Sequence, residues 1–333
     1  MPFSSDIVGH DKPLAALRRA LSQDRLHHAY LFIGPEGVGK KTVALSLAKA
    51  VHCQEMERDF CGRCDHCLRI ANHNHPDVRL IGPLPGKKEI SIEQVRALER
   101  ELNYRAFSNG KKIAIVDPAR LMNFSAQNAL LKTLEEPPAG SVLIMISTSA
   151  GGLLPTLLSR CLRLSFAPLP ASAVVEGLIS RQGLRLEQAQ LLAASSMGSL
   201  GKAFDADTAQ RARDREAWVE GLAFLAKDDR MGWTTLADEL SKDREQALKF
   251  LDWLAGWYRD LLIYRVMEST EEICNLDRID ILETQAASST LEKILFLRYQ
   301  SLLATARIRR NVNRRMALEN LFINIAEIAE LPK

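Results

Sequence analysis

The sequence predicts an α/β fold: a mostly parallel five-stranded sheet covered by helices, then a small three-helix unit and an all-helical C-terminal region. Three observations carry that expectation. Apolar runs at Ala29 to Ile33, Asp77 to Ile81, Lys112 to Asp117 and Ser141 to Ser147, with an alternating run at Leu162, Leu164 and Phe166, are of strand length and are separated by helical patterns. That alternation demands crossover connections, which make neighbouring strands parallel and bury both faces of the sheet. Past Pro168 and Pro170 every periodic stretch is helical, and no plausible strand pair occurs.

The chain opens on an amphipathic helix with Leu14, Leu17 and Leu21 on one stripe. After the first strand comes a glycine loop and a helix marked by Val43, Leu47 and Val51. Ser91 with Gln94 forms a capping box ahead of Val95, Leu98 and Leu102. Ser125 is the expected cap of a helix through Leu130 and Leu134, which Pro137 and Pro138 stop. Beyond Pro170, Val174 with Leu178, Leu191 with Leu192, and a turn at Met197 to Ser199 leading to Phe204 make three short helices. Trp253 and Trp257, four apart, are expected to join Trp218 and Trp233 in a helical core. The resulting boundaries are residues 1–167 for the α/β domain, with a cysteine insert at about 53–76, then 168–207 and 208–333.

Composition excludes several classes. With 47% hydrophobic and 26% charged residues, the 333-residue chain has material for two or three packed domains. A net charge of +3 is too small for a protein that coats nucleic acid, so such a partner must be met through a local patch or through other subunits. The first seven residues hold no basic segment leading into an apolar one, and no run of eighteen apolar residues occurs. A cytoplasmic chain without membrane contact is expected. Four of the six cysteines fall between Cys53 and Cys67, which suits a metal site in a reducing compartment better than a disulfide framework.

The glycine loop reads as a phosphate loop. Gly34, Gly37 and Gly39 let the backbone turn its N–H groups inward at a helix N-terminus, and Lys40 follows where an ammonium would reach the β- and γ-phosphates. The next position, which should be Ser or Thr to hold magnesium, is Lys41; the hydroxyl comes one residue late, at Thr42, about 100° around the helix. Asp117 ends a buried strand where phosphate-loop ATPases orient magnesium, but Pro118 stands where a general base would follow. Two independent defects in one reaction point to a loop that does not support efficient hydrolysis. Binding of ATP or ADP is expected to be weak or absent. Cys53, Cys61, Cys64 and Cys67 can close a tetrahedron of sulfur around a structural zinc ion, with His66, His73 and His75 as poor substitutes. Arg160, between Ser159 and Cys161, would project from the rim of the domain, either as a solvated surface arginine or where it could stabilise phosphate charge on a neighbouring subunit.

The opening Ile7-Val8-Gly9-His10, the phosphate loop, the four-cysteine insert, the run from Asn128 through Leu134, Glu135 and Glu136 to Pro138, and Ser159-Arg160-Cys161 together resemble the delta-prime subunits of bacterial DNA polymerase III clamp loaders, members of the AAA+ family. The resemblance is strong to about residue 205, and Asn311 to Phe322 is similar to that family's closing helix. It implies an AAA+ nucleotide-binding-like domain, a three-helix lid and a helical collar that assembles subunits into an open ring. It implies a non-hydrolysing stator, a component of the DNA polymerase III holoenzyme, that lends Arg160 as an arginine finger to a neighbouring gamma/tau ATPase. Ser147 and Thr148 fall where the family places a polar sensor, and Gly201 with Lys202 departs from the arginine of active members. Implied partners are the gamma/tau and delta subunits, with the beta sliding clamp and primed DNA inside the complex. Two rival readings follow from the residues: an active phosphate-loop ATPase using Thr42 or water, and a zinc-dependent nucleic-acid-binding module, for which Arg307, Arg310 and Arg314 offer the stronger basic stripe.

Overall fold

A computed structural model of the chain describes residues 7–56, 59–107, 111–204, 208–226, 230–267, 270 and 272–330. The first six positions of the N-terminal stretch lie outside the described residues. The chain divides into two compact units, Met1–Pro168 and Leu169–Lys333.

In the first unit five strands pair in parallel: β1 (Ala29–Ile33), β2 (Val78–Ile81), β3 (Lys112–Val116), β4 (Ser141–Ser147) and β5 (Leu162–Ser165), in the order β2-β3-β4-β1-β5. This is the mostly parallel five-stranded sheet that the sequence predicts. Because successive strand residues point to opposite faces, the central strands β1, β3 and β4 feed two cores. Tyr30, Phe32, Ile113, Ile115 and Ile144 join helices α1 (Asp11–Ser22) and α2 (Lys40–His52) on one side. Leu31, Ala114, Val116, Leu143 and Met145 join α4 (Ile92–Asn103) and α5 (Phe124–Glu135) on the other. Two further helices complete the unit, α3 (Asp65–Ala71) within the cysteine segment and α6 (Pro155–Leu158) before β5.

The capping box at Ser91 and Gln94 forms as expected. The cap of α5 does not fall on Ser125. Asn123 takes that role, its Oδ1 accepting the Ala126 N–H at 2.9 Å, because Asn123, two residues earlier, sits at the non-helical position the cap requires. One residue of that helix ties the neighbouring loops: buried Gln127 donates to the carbonyls of Met122 and Gly152 and accepts from the Leu154 N–H.

The second unit is helical throughout its described residues. The short helices α7 (Ala171–Gln182), α8 (Leu186–Ser196) and α9 (Leu200–Phe204) precede six more, α10 (Thr208–Ala226), α11 (Arg230–Lys242), α12 (Arg244–Met267), α13 (Ile279–Ser288), α14 (Leu291–Arg309) and α15 (Arg314–Glu330). The tryptophans enter one core as expected, Trp253 lying 5.6 Å from Trp218 and 5.7 Å from Trp257 between ring centres. No helix among the described residues is long and apolar enough to cross a membrane.

The connection from α12 to α13 is held by a buried carboxylate. Asp260 accepts from the backbone N–H groups of Cys274 and Asn275 at 3.0 and 2.9 Å and from the Asn275 carboxamide at 2.7 Å, with Arg259 beside it at 3.2 Å. Removing it leaves two buried backbone donors unpaired, each costing about 1–3 kcal/mol. Asp260→Ala is therefore expected to lower the stability of this unit by about 2–4 kcal/mol. All four tryptophans lie in this unit, so urea unfolding followed by tryptophan fluorescence reads the change.

Candidate functional site

The phosphate loop lies at the carboxyl ends of β1, β4 and β3, the edge of an open parallel sheet where ligands bind. Three local devices shape it. Gly34 passes so close to the end of β5 that a Cβ there would stand 2.1 Å from the Phe166 carbonyl oxygen, and its N–H donates to the Ser147 carbonyl at 3.2 Å. Gly37 and Gly39 have φ of 75° and 106°, a region that side chains resist, and Gly39 hands the chain into α2. His10, outside the site residues that the sequence nominated, holds the loop from behind: its Nε2 lies 2.7 Å from the Val38 carbonyl and its ring stands edge-on to Phe166.

Lys40 is buried and folded onto the loop itself, its Nζ donating to the carbonyl of Gly34 at 2.6 Å and to that of Pro35. Burial pushes this ammonium down to about 8, against the pull of the Asp117 and Glu36 carboxylates. Asp117 follows β3, its N–H bonded to the Ile81 carbonyl at 2.9 Å. Burial raises its carboxyl above the usual range while the charges of Lys41 and Lys40 oppose that rise. The loop thus carries two ammonium groups that act on one carboxylate. Thr42 is exposed on the surface of α2, as the turn of the helix requires. Ser147 is buried, its hydroxyl donating to the Ser149 carbonyl at 2.7 Å, and Thr148 is half-buried immediately after β4. Lys202 belongs to the second unit, where its Nζ faces Asp252 at 3.7 Å.

The four cysteines converge. Their sulfurs lie within 4.8 Å of one another, and Cys53 and Cys64 stand 4.0 Å apart. Metal–sulfur bonds near 2.3 Å set tetrahedral sulfurs about 3.8 Å apart, so a metal such as zinc fits with small adjustment. Backbone N–H groups already point at sulfur, Cys61 to Cys53 Sγ and Cys64 to Cys61 Sγ, an arrangement that favours thiolates. Gly62, at φ 73°, supplies the tight turn between Cys61 and Cys64.

A second group lies in the same segment: His52, His66 and His75, with ring nitrogens also within 4.8 Å. His52, at the end of α2, is the member that the sequence did not suggest, and His73 is not part of the group. The Asp77 N–H donates to His75 Nδ1, so His75 Nε2 carries a proton and donates to His66 Nδ1 at 2.7 Å. The relay closes when Gln54 presents its carboxamide oxygen to His66 Nε2, 2.9 Å away. Burial pushes His52 down to about 4, with His75 adding to the shift, so that ring stays neutral at pH 7. The sulfurs are the set that fits a metal; His66 and His75 are already engaged with each other and with their neighbours.

Arg160 follows α6 at the rim, half-exposed, with one guanidinium nitrogen 2.7 Å from Glu135 Oε1 and the other donating to the Thr156 carbonyl at 2.7 Å.

The depressed Lys40 has a consequence for pH. A lysine whose folded value lies below its ordinary 10.5 penalises folding fully below about 8, and the penalty is released as pH rises from about 8 to 10.5. The stability of Lys40→Met relative to the parent chain is therefore expected to fall by on the order of 2–3 kcal/mol between those limits. Urea titrations at pH 7, 8, 9 and 10 check this, and a constant difference across the series would show an ordinary lysine.

Residues 9–170 match the family model described as DNA polymerase III, delta subunit, and residues 209–327 match that described as DNA polymerase III, delta subunit, C terminal. The chain is 30% identical over 321 residues to DNA polymerase III subunit delta' of Bacillus subtilis, covering 93% of this chain and 94% of that protein. It is 32% identical over 307 residues to the subunit delta' of Pseudomonas aeruginosa, covering 90% and 92%. DNA polymerase III subunit tau of Escherichia coli is 34% identical over 202 residues, 59% of this chain and 31% of tau. With end-to-end similarity above these loops and cysteines, the chain belongs to the DNA polymerase III subunit delta' family.

Proposed function

We propose that this chain is a non-hydrolysing stator of the clamp loader, which lends Arg160 to the active site of an adjacent gamma/tau ATPase while the complex loads the beta clamp onto primed DNA. The observation that carries the reading is the state of its own phosphate loop. An intact glycine cradle and Lys40 stand beside Lys41 in place of the magnesium hydroxyl, Thr42 faces solvent, and Pro118 follows Asp117 without a base. Such a loop can hold phosphate, but it lacks both the metal ligand and the group that activates water. Similarity to tau over 202 residues supports a shared architecture with the neighbour it would serve.

On this reading residues 168–207 form the lid, residues 208–333 the collar, and the chain works in the cytoplasm with the gamma/tau and delta subunits. The collar role is supported by an exposed apolar stripe along α14, Leu291, Leu295, Tyr299 and Leu302, at helical spacing that one partner helix can cover. Zinc in the four-cysteine cluster would be structural, because sulfur fills every position and leaves none open for water.

Two measurements test the reading. The isolated chain should release phosphate from ATP and magnesium at well below about 1 s⁻¹, the low end of ordinary enzyme turnover. Arg160→Ala should cost the neighbouring site on the order of 10³-fold, read as a loss of clamp- and DNA-stimulated hydrolysis by the assembled complex. Brisk hydrolysis by the chain alone, or full activity of the variant complex, refutes it. For the insert, metal analysis of the purified chain should find about one zinc per chain, lost in Cys64→Ser together with resistance of the 53–76 segment to proteolysis. About two zinc ions would show that the histidine group also binds.

A further inference from the structure

Arg160 is anchored from two sides. Its bond to the Thr156 carbonyl is local, made to the short helix immediately before it. Its bond to Glu135 reaches a different element, the last residue of α5. Glu135 and Glu136 close that helix at the end where the macrodipole disfavours negative charge. A carboxylate in that place is stabilised by a cation in front of it, and among the described residues Arg160 is the cation ion-paired with Glu135. The two bonds occupy one nitrogen each, and the five-donor fork leaves its Nε–H and a second N–H on the nitrogen facing Glu135 for another acceptor.

We propose that Glu135 is a positioning residue for Arg160: its carboxylate fixes the direction of the guanidinium, so that the remaining N–H edge meets phosphate across the subunit boundary. This rests on the finger role proposed above. An unanchored arginine at the rim would lose its rotamer freedom at the moment of reaction, whereas one already held between Glu135 and Thr156 has lost much of it beforehand. The carboxylate does not cancel the finger's charge, because both side chains are partly in water, 35% and 53% exposed, where their mutual attraction is screened.

The test uses the complex assembled with its gamma/tau and delta subunits, the beta clamp and primed DNA. Glu135→Ala is expected to lower stimulated ATP turnover about three- to fivefold, the size an exposed ion pair can contribute, with the KM for ATP unchanged. Glu135→Gln, which keeps an oxygen acceptor, should recover part of the loss. In an Arg160→Ala background, Glu135→Ala should have no further effect, a result that a general structural role for Glu135 would not give. Turnover by Glu135→Ala equal to the parent while Arg160→Ala is severely impaired overturns the positioning role alone, as does an equal loss in the Arg160→Ala background. An Arg160→Ala complex of full activity overturns the finger and the positioning role together.

Discussion

The close passage of Gly34 beneath the Phe166 carbonyl is the constraint on which the phosphate loop depends. β1 is hydrogen-bonded on both sides, to β4 and to β5, so the first residue after it leaves the sheet between two backbones. A methyl group there would part them. With the exit fixed, Gly37 and Gly39 turn the chain back over the strand ends and α2 starts with its free N–H groups facing the loop. The ends of β3 and β4 are placed by the same parallel register, which brings Asp117 and Ser147 to the same edge of the sheet.

The architecture of an anion-binding cradle has been kept with an altered set of charges. Lys40 satisfies the loop's own carbonyls, and Lys41 and Lys40 both act on Asp117. A metal ion and a hydroxyl would normally share that work. Lys41 and Thr42 stand on the first turn of α2, so the differences at these two positions lie in side chains on an ordinary helix.

Much of this was legible in the sequence. The three central strands, β1, β3 and β4, announce themselves because each is buried on both faces and so reads as a continuous apolar run, while the edge strand β5 shows only as alternation. Cys61 and Cys64 are close in sequence, so their meeting around Gly62 is a local matter. Other features were hidden by distance. His52 meets His66 and His75 only because α2 and α3 pack on one another, and nothing in the spacing of a histidine beside a cysteine discloses it. The Arg160–Glu135 pair joins two helix ends that β4 separates in the sequence. The cap of α5 was misplaced for a simpler reason: Asn123 and Ser125 are both good caps, and only the backbone decides which one lies outside the first turn.

The two outermost strands of the sheet show how the molecule avoids the wrong kind of self-association. β2 and β5 are both four residues long, and each bears an exposed arginine, Arg79 on one and Arg163 on the other. Short borders bearing charged side chains are poor templates for a foreign backbone, since extending the ladder would crowd and desolvate those groups. Growth of the sheet into a neighbouring molecule is discouraged at either side, which leaves helix faces as the surfaces through which an orderly assembly can be built.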